Sequence, residues 1–394
     1  MARAASDASG SPTWALSPQF AVAAMFAAFG LAVGLFSGAT GAILARAQVG
    51  SAIFGVMLTL NVATYLAAMS SGWLLARQFT AKRILVACAP LMGLVIAAML
   101  AFPSATTLFA GLGVNGALGG LVDLTMNAEG TKLERQLGRP VLAGLHGAAS
   151  AGLALGAIAG SLLADGPAPW IAPLAAFGAM AVASLAVAFL VPDAGLEHAA
   201  PDAPKSPSHY SRPMIVIGLA VGACVACETN AMIWSTPLLR QDAPTLAAIS
   251  GLGGAFFAAC QAAMRLNADR LRRTVGDRTL MIASMGVATL GFVVVASHFN
   301  FPLTVLGFAV IGVGTGVVVP CGFAMAVAQP GVTPSAALSA TALFGSAVRL
   351  PAPLAVGALA SLLSLSGAFS LFAFILAAAI IALAAFIEAP ARRT

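Results

Sequence analysis

The sequence predicts an all-α membrane protein whose twelve transmembrane helices form two sets of six. Three observations lead there. Hydrophobic residues make up 60% of the 394 residues and charged ones only 8%, against roughly a quarter charged in soluble domains. The apolar residues gather into segments of about twenty, the length a helix needs to cross a hydrocarbon core of about 30 Å. Basic residues occupy alternate loops: fifteen of the 19 Lys and Arg lie in the two tails or every second loop, from Arg3, Arg77, Lys82 and Arg83 to Arg392 and Arg393. The intervening loops carry only Arg46 and Arg240. Basic loops stay cytoplasmic during insertion, so both termini are expected inside a bacterial inner membrane and the number of spans is even.

In order, the spans are expected at 20–44, 51–76, 83–102, 105–129, 141–164 and 169–191, then at 213–238, 245–266, 279–297, 301–326, 335–361 and 366–388. Punctuation supports them. The second stops at Arg77, the third starts at Lys82-Arg83 and stops at Pro103, and the fifth follows Pro140 and ends before Asp165-Gly166. The seventh starts after Arg212, the eighth after Pro244, the ninth after Arg278 and the eleventh after Pro334. The hydrophilic stretch from Val191 to Arg212, with four prolines, His198 and His209, divides the spans six and six. The domains are thus a cytoplasmic tail (1–19), an N-terminal bundle (20–191), a cytoplasmic linker (192–212), a C-terminal bundle (213–388) and a second tail (389–394).

The basic residues are scattered over several loops rather than gathered with aromatics in one patch. That argues for lipid headgroups and against nucleic acid as their partner. The first twenty residues are polar, so the first span is expected to be the insertion signal. The five cysteines all fall in apolar segments and are odd in number, which argues against a disulfide framework. No Walker motif supports ATP-driven pumping. No nucleophile, base and oxyanion grouping supports an enzyme. No cofactor is expected.

The two sets of spans resemble each other. Gly72-Trp73-Leu74-Leu75-Ala76-Arg77 with Lys82-Arg83 joins spans two and three, and Ala268-Asp269-Arg270-Leu271 with Gly276-Asp277-Arg278 joins spans eight and nine. The second stretch resembles the loop motif of the major facilitator superfamily, whose halves are parallel repeats about an axis normal to the membrane. The resemblance implies the major facilitator fold and a cytoplasmic gate formed by Arg77, Asp269, Arg270 and Arg278. The first copy departs from the motif, since Ala76 stands where an Asp belongs.

A narrower resemblance rests on Asp123 to Glu129, Glu134 to Pro140, His146-Gly147 and the run from Glu228 to Ser235, with Ile233 where an Asp is expected. These stretches resemble a bacterial subgroup that includes riboflavin importers and the copper importers supplying cytochrome oxidase assembly. The resemblance implies a monomeric secondary transporter working by alternating access on a small organic solute, with a riboflavin-like compound the leading candidate.

Polar groups inside the spans are costly and so need a reason. Asp123 and Asn127 share one helical face of span four. His146 falls in span five. Glu228 lies midway along span seven, with Asn230 and Trp234 on adjoining faces. Gln261 can donate and accept hydrogen bonds, and Arg349 precedes Pro351 and Pro353. Asn127, Glu228, Asn230, Trp234, Gln261 and Arg349 are the candidates for binding the solute. Asp123, His146 and Glu228 are the candidates for coupling to protons. Copper import is the first alternative, through Cys260 and Met264, Cys321 and Met325, and Met232, because soft sulfur ligands select Cu(I). Against it, span seven lacks the Met pair and span eight the His of the copper importers. A non-transporting membrane receptor or assembly factor on the same scaffold is the second.

Overall fold

The computed structural model describes residues 17–193, 210–330 and 333–387. Most of both tails and of the expected linker therefore lies outside the described residues. Six helices come first: α1 (Pro18–Ala47), α2 (Ser51–Ala76), α3 (Ala81–Ala101), α4 (Ala105–Leu137), α5 (Leu142–Ala164) and α6 (Ile171–Leu190). The second half holds α7 (Arg212–Asp242), a 3₁₀ turn (Pro244–Ile249), α8 (Leu252–Leu266), α9 (Ala268–Val275) and α10 (Asp277–Ala296). It closes with α11 (Phe301–Thr315), α12 (Val318–Val327), α13 (Pro334–Arg349), α14 (Ala352–Leu362) and α15 (Leu365–Phe386). Twelve helical stretches among the described residues are long and apolar enough to cross a membrane.

Side chains just outside the apolar runs start many of these helices. Ser17, Thr80, Ser104, Ser211, Asn300, Thr333 and Ser364 each accept from a backbone N–H three residues on, as N-caps do. Three expected spans are broken, span eight opening as the 3₁₀ turn Pro244–Ile249 before α8. Spans ten and eleven divide at Gly316-Val317 and at Leu350-Pro351, where a proline cannot continue the hydrogen-bond ladder. Helix α4 differs the other way and continues past Glu129 to Leu137. Its added turns are polar: Lys132 pairs with Glu129 at 3.3 Å, and Gly138, with φ +62°, ends the helix. Glu134 then accepts from the N–H groups of Val141 and Leu142 at 2.9 and 3.0 Å, fixing the start of α5.

Within each half, small residues let two backbones touch. Gly30, Gly34 and Gly38 of α1 lie against the backbone of α5 from Ala149 to Ala157, where an added Cβ would collide. In the second half Gly218 and Gly222 of α7 meet Thr341 and Gly345 of α13 in the same manner. Lipid offers no hydrophobic drive between helices, so close packing of this kind holds the bundles together. The rings of Phe292, Phe308, Phe369 and Phe372 fill the second half between α10, α11 and α15.

The halves meet most tightly on the side away from the termini. There Gly55 of α2 faces α14, and a Cβ on it would stand 2.7 Å from the carbonyl of Pro353 and 2.9 Å from the Cα of Gly357. Gly251, at the start of α8, abuts Ala157 of α5. The Ser37 hydroxyl of α1 donates to the Met232 carbonyl of α7 at 2.8 Å. Asp165, at the end of α5, is paired with Arg240 of α7, and Arg46 of α1 comes within 3.7 Å of its other oxygen. The two basic residues that break the charge asymmetry thus converge on one carboxylate.

Candidate functional site

Below that seal a cavity of about 340 Å³ lies between the halves. Its apolar wall includes Phe29, Phe36, Met92, Met232 and Phe257, and its ionisable lining is Asp123, His146, Glu228, Arg265 and Arg349. Asp123, on α4, holds a compact set of hydrogen bonds. One oxygen accepts from Asn127 Nδ2 at 2.8 Å, and the other accepts from the phenol of Tyr65 on α2. The face of the Tyr65 ring meets the Arg349 guanidinium from the other half, 5.7 Å from Cζ to centroid. A chain of contacts therefore runs from Asn127 through Asp123 and Tyr65 to Arg349, crossing the cleft.

Glu228 of α7 forms a second polar centre. Its carboxylate pairs with Arg265 Nη2 of α8 at 3.3 Å, and Cys224 Sγ lies 3.7 Å from its other oxygen. Gln261, one turn before Arg265 on α8, donates to Thr315 Oγ1 at 3.3 Å. His146 of α5 packs edge-on against Phe26, centroids 5.2 Å apart, with the rest of its ring toward the cavity. Acids and bases from both halves are thus gathered where a bound molecule would touch both.

Six of the sequence candidates come together here. Asp123, His146, Glu228, Gln261 and Arg349 line the cavity, and Asn127 stands behind Asp123. Trp234 and Asn230 do not line it. Trp234 is fully buried and packs edge-on against Phe54 of α2, centroids 5.1 Å apart. Asn230 is buried and donates to the Ala226 carbonyl at 2.9 Å. The reason is helical phase: at about 100° per residue, positions two and six beyond Glu228 lie more than 90° from its face. Met232, four residues on, does reach the cavity.

Of Cys260, Met264, Cys321, Met325 and Met232, Met232 is the one that lines the cavity. Among the described residues no group of three or more His, Cys, Asp or Glu is placed to hold a metal ion.

The expected gate residues lie on the termini-bearing side. Arg278 donates to the carbonyls of Ile387 and Ala384 at 2.7 and 3.2 Å, tying α10 to the end of α15. Asp269 is largely exposed and reaches Arg272 at 3.5 Å. The stronger partner of Arg272 is Asp277, at 2.6 Å, and this hydrogen bond raises the guanidinium's pKa further. Arg77, at the end of α2, and Arg270 are exposed. Sequence reasoning passed over Tyr65, Arg265 and Asp165. Two signals were available: Tyr65 is one of two tyrosines in the chain, and Arg265 and Arg349 are the two basic residues that belong to neither class of loop.

No family model matches the chain. It is 27% identical over 363 residues to an uncharacterized transporter of Sinorhizobium fredii, covering 88% of this chain and 92% of that one. It is 28% identical over 340 residues to an uncharacterized MFS-type transporter of Yersinia pestis, covering 84% and 86%. The crystal structure of the nucleoside transporter NupG superposes with a TM-score of 0.69 at 13% identity, over 94% of this chain and 99% of that one. Two six-helix halves closing on a shared cavity give the chain the major facilitator fold, and over most of its length it is similar to bacterial proteins described as transporters.

Proposed function

We propose that the protein is a proton-coupled secondary transporter that moves a small organic solute by rocking its two halves about the central cavity. It works as a monomer in a bacterial inner membrane, with its termini and basic loops in the cytoplasm. The described conformation is then the one sealed toward the periplasm by α2–α14, α5–α8 and the Asp165 ion pairs.

One observation carries the reading. Each half contributes an acid to the cavity, Asp123 from α4 and Glu228 from α7, and each acid is bonded to groups that a bound solute can displace. A carboxylate in such a place is costly unless it is paired or protonated, so solute and proton occupancy influence one another. A flat, polar-edged molecule of the riboflavin type remains the leading candidate. Phe29, Phe36, Tyr65 and Phe257 offer it ring faces in place of Trp234. NupG, which is named a nucleoside transporter, shares the fold, and a nucleoside is also a ring with a polar edge.

The test uses proteoliposomes with an imposed pH gradient and labelled riboflavin or uridine. The wild type is expected to accumulate one of them against its gradient, and Glu228→Gln to exchange it without accumulating it. Accumulation by Glu228→Gln at the wild-type rate would remove Glu228 from the coupling role.

A further inference from the structure

Arg349 is the ionic group of the cavity whose needs the fold leaves open. It sits at the last residue of α13, where the helix breaks before Pro351, so its charge faces the carbonyl end of the helix dipole. Its guanidinium lies over the Tyr65 ring, and no carboxylate forms an ion pair with it among the described residues. The other cavity arginine, Arg265, is already paired with Glu228. Asp123 is engaged by two neutral donors, Tyr65 and Asn127, and Tyr65 stands between it and Arg349. A guanidinium out of bulk water is costly without an anionic partner, and its planar fork matches the two oxygens of a carboxylate or phosphate.

We propose that the cargo is a small organic oxyanion, a carboxylate or a phosphate monoester, whose charged group docks on Arg349 while its body lies along Tyr65 and the apolar wall. This rests on the transporter reading and replaces its neutral, riboflavin-type solute with an anionic one. It also fixes a charge requirement. With Asp123 and Glu228 ionised, Arg265 and Arg349 charged and His146 neutral, the cavity carries no net charge. An anion arriving alone leaves it negative, and a proton arriving with the anion restores the balance. The ionisable groups that share the cavity with Asp123 are Tyr65 from α2, His146 from α5, Glu228 from α7, Arg265 from α8 and Arg349 from α13, and Asp123 and His146 are the acceptors not already tied to an arginine.

The experiment measures the thermal midpoint of the purified full-length protein with four matched pairs of probes. These are riboflavin 5′-phosphate and riboflavin, uridine 5′-monophosphate and uridine, nicotinate and nicotinamide, and benzoate and benzamide. A bound ligand raises the midpoint of the native state. The anionic member of at least one pair is expected to raise it more than its neutral partner, and the phosphate or carboxylate pairs to show which oxyanion is taken. Arg349→Gln should weaken that anion's binding roughly ten- to a hundredfold, the size of a lost charge-assisted bond. Arg349→Lys should restore part of it, and Arg83→Gln, on the surface at the start of α3, should leave it unchanged. Neutral partners that bind as well as the anions, or an anion preference that survives Arg349→Gln, would overturn the oxyanion proposal and leave the transporter reading standing. No shift with any of the eight probes would count against both.

Discussion

Arg240 and Asp165 belong to different halves of the protein and are bound to one another: the guanidinium at the end of α7 donates to the carboxylate at the end of α5. Arg46 of α1 adds a longer approach at 3.7 Å and also donates to the Ala164 carbonyl. Asp165→Asn is expected to weaken the seal without unfolding either bundle. The groups are partly exposed, so the pair is worth at most about 1 kcal/mol, or roughly a fivefold shift between conformations. Spin labels on the exposed positions Phe102 and Leu363 should report a longer average distance on this side. An unchanged distance distribution would show that the apolar contacts alone hold the halves together.

Backbone contact at the seal makes a sharper prediction. A Cβ on Gly357 would lie 2.5 Å from the Ser51 carbonyl and 2.8 Å from the Cα of Gly55. Gly357→Ala should therefore oppose closure of this end and cut transport at least tenfold while the protein still inserts and purifies. The control is Gly286→Ala, where nothing lies within 4 Å of the added carbon, and transport should be kept.

Trp234 and Tyr65 are both aromatic residues near the cleft, with different expected roles. Trp234→Ala removes a fully buried side chain that packs on Phe54 across the halves. It should cost roughly 3 kcal/mol of stability and change cargo affinity little. Tyr65→Phe keeps the ring under Arg349 and deletes the hydroxyl that donates to Asp123. It should leave the thermal midpoint nearly unchanged and alter the pH dependence of transport. The reverse pattern would return Trp234 to the binding site.

Replacing Cys260 with Ser and Met264 with Leu tests copper directly. Neither side chain lines the cavity, so solute transport should stay within roughly twofold of wild type, as for substitutions away from any functional contact. Loss of cellular copper uptake in the double variant would revive the metal reading.

The fold was legible because hydropathy and basic loops report the bilayer, which acts on every span alike. The beginning and end of α2 fall where the sequence put them, from Ser51 to Ala76. Helix α4 ran past its expected end because Lys132 and Glu134 read as loop residues, while the Lys132–Glu129 pair supports a further turn and Glu134 holds the start of α5. The site was legible where an ionisable group stood alone in an apolar run, as at Asp123, His146 and Glu228. It was not legible where rotation about the helix axis decides, as for Trp234 and Asn230. Arg265, at the end of α8, was not singled out because sequence position gives depth along the helix and not the partner on the neighbouring helix, Glu228 of α7.

Ala157 touches both sides of the molecule, with Gly38 of its own half and Gly251 of the other pressed against its backbone. Gly38, Ala157 and Gly251 themselves carry nothing larger than a methyl group, so little of theirs can compress or interdigitate. In the rocking motion proposed above this contact is the fulcrum, with displacement smallest here and growing with distance along α5 and α8. His146 and Arg265 lie toward the long arm of that lever, so a slight roll at Ala157 is amplified where the ionic groups are, and the chemistry that drives the turn acts with mechanical advantage.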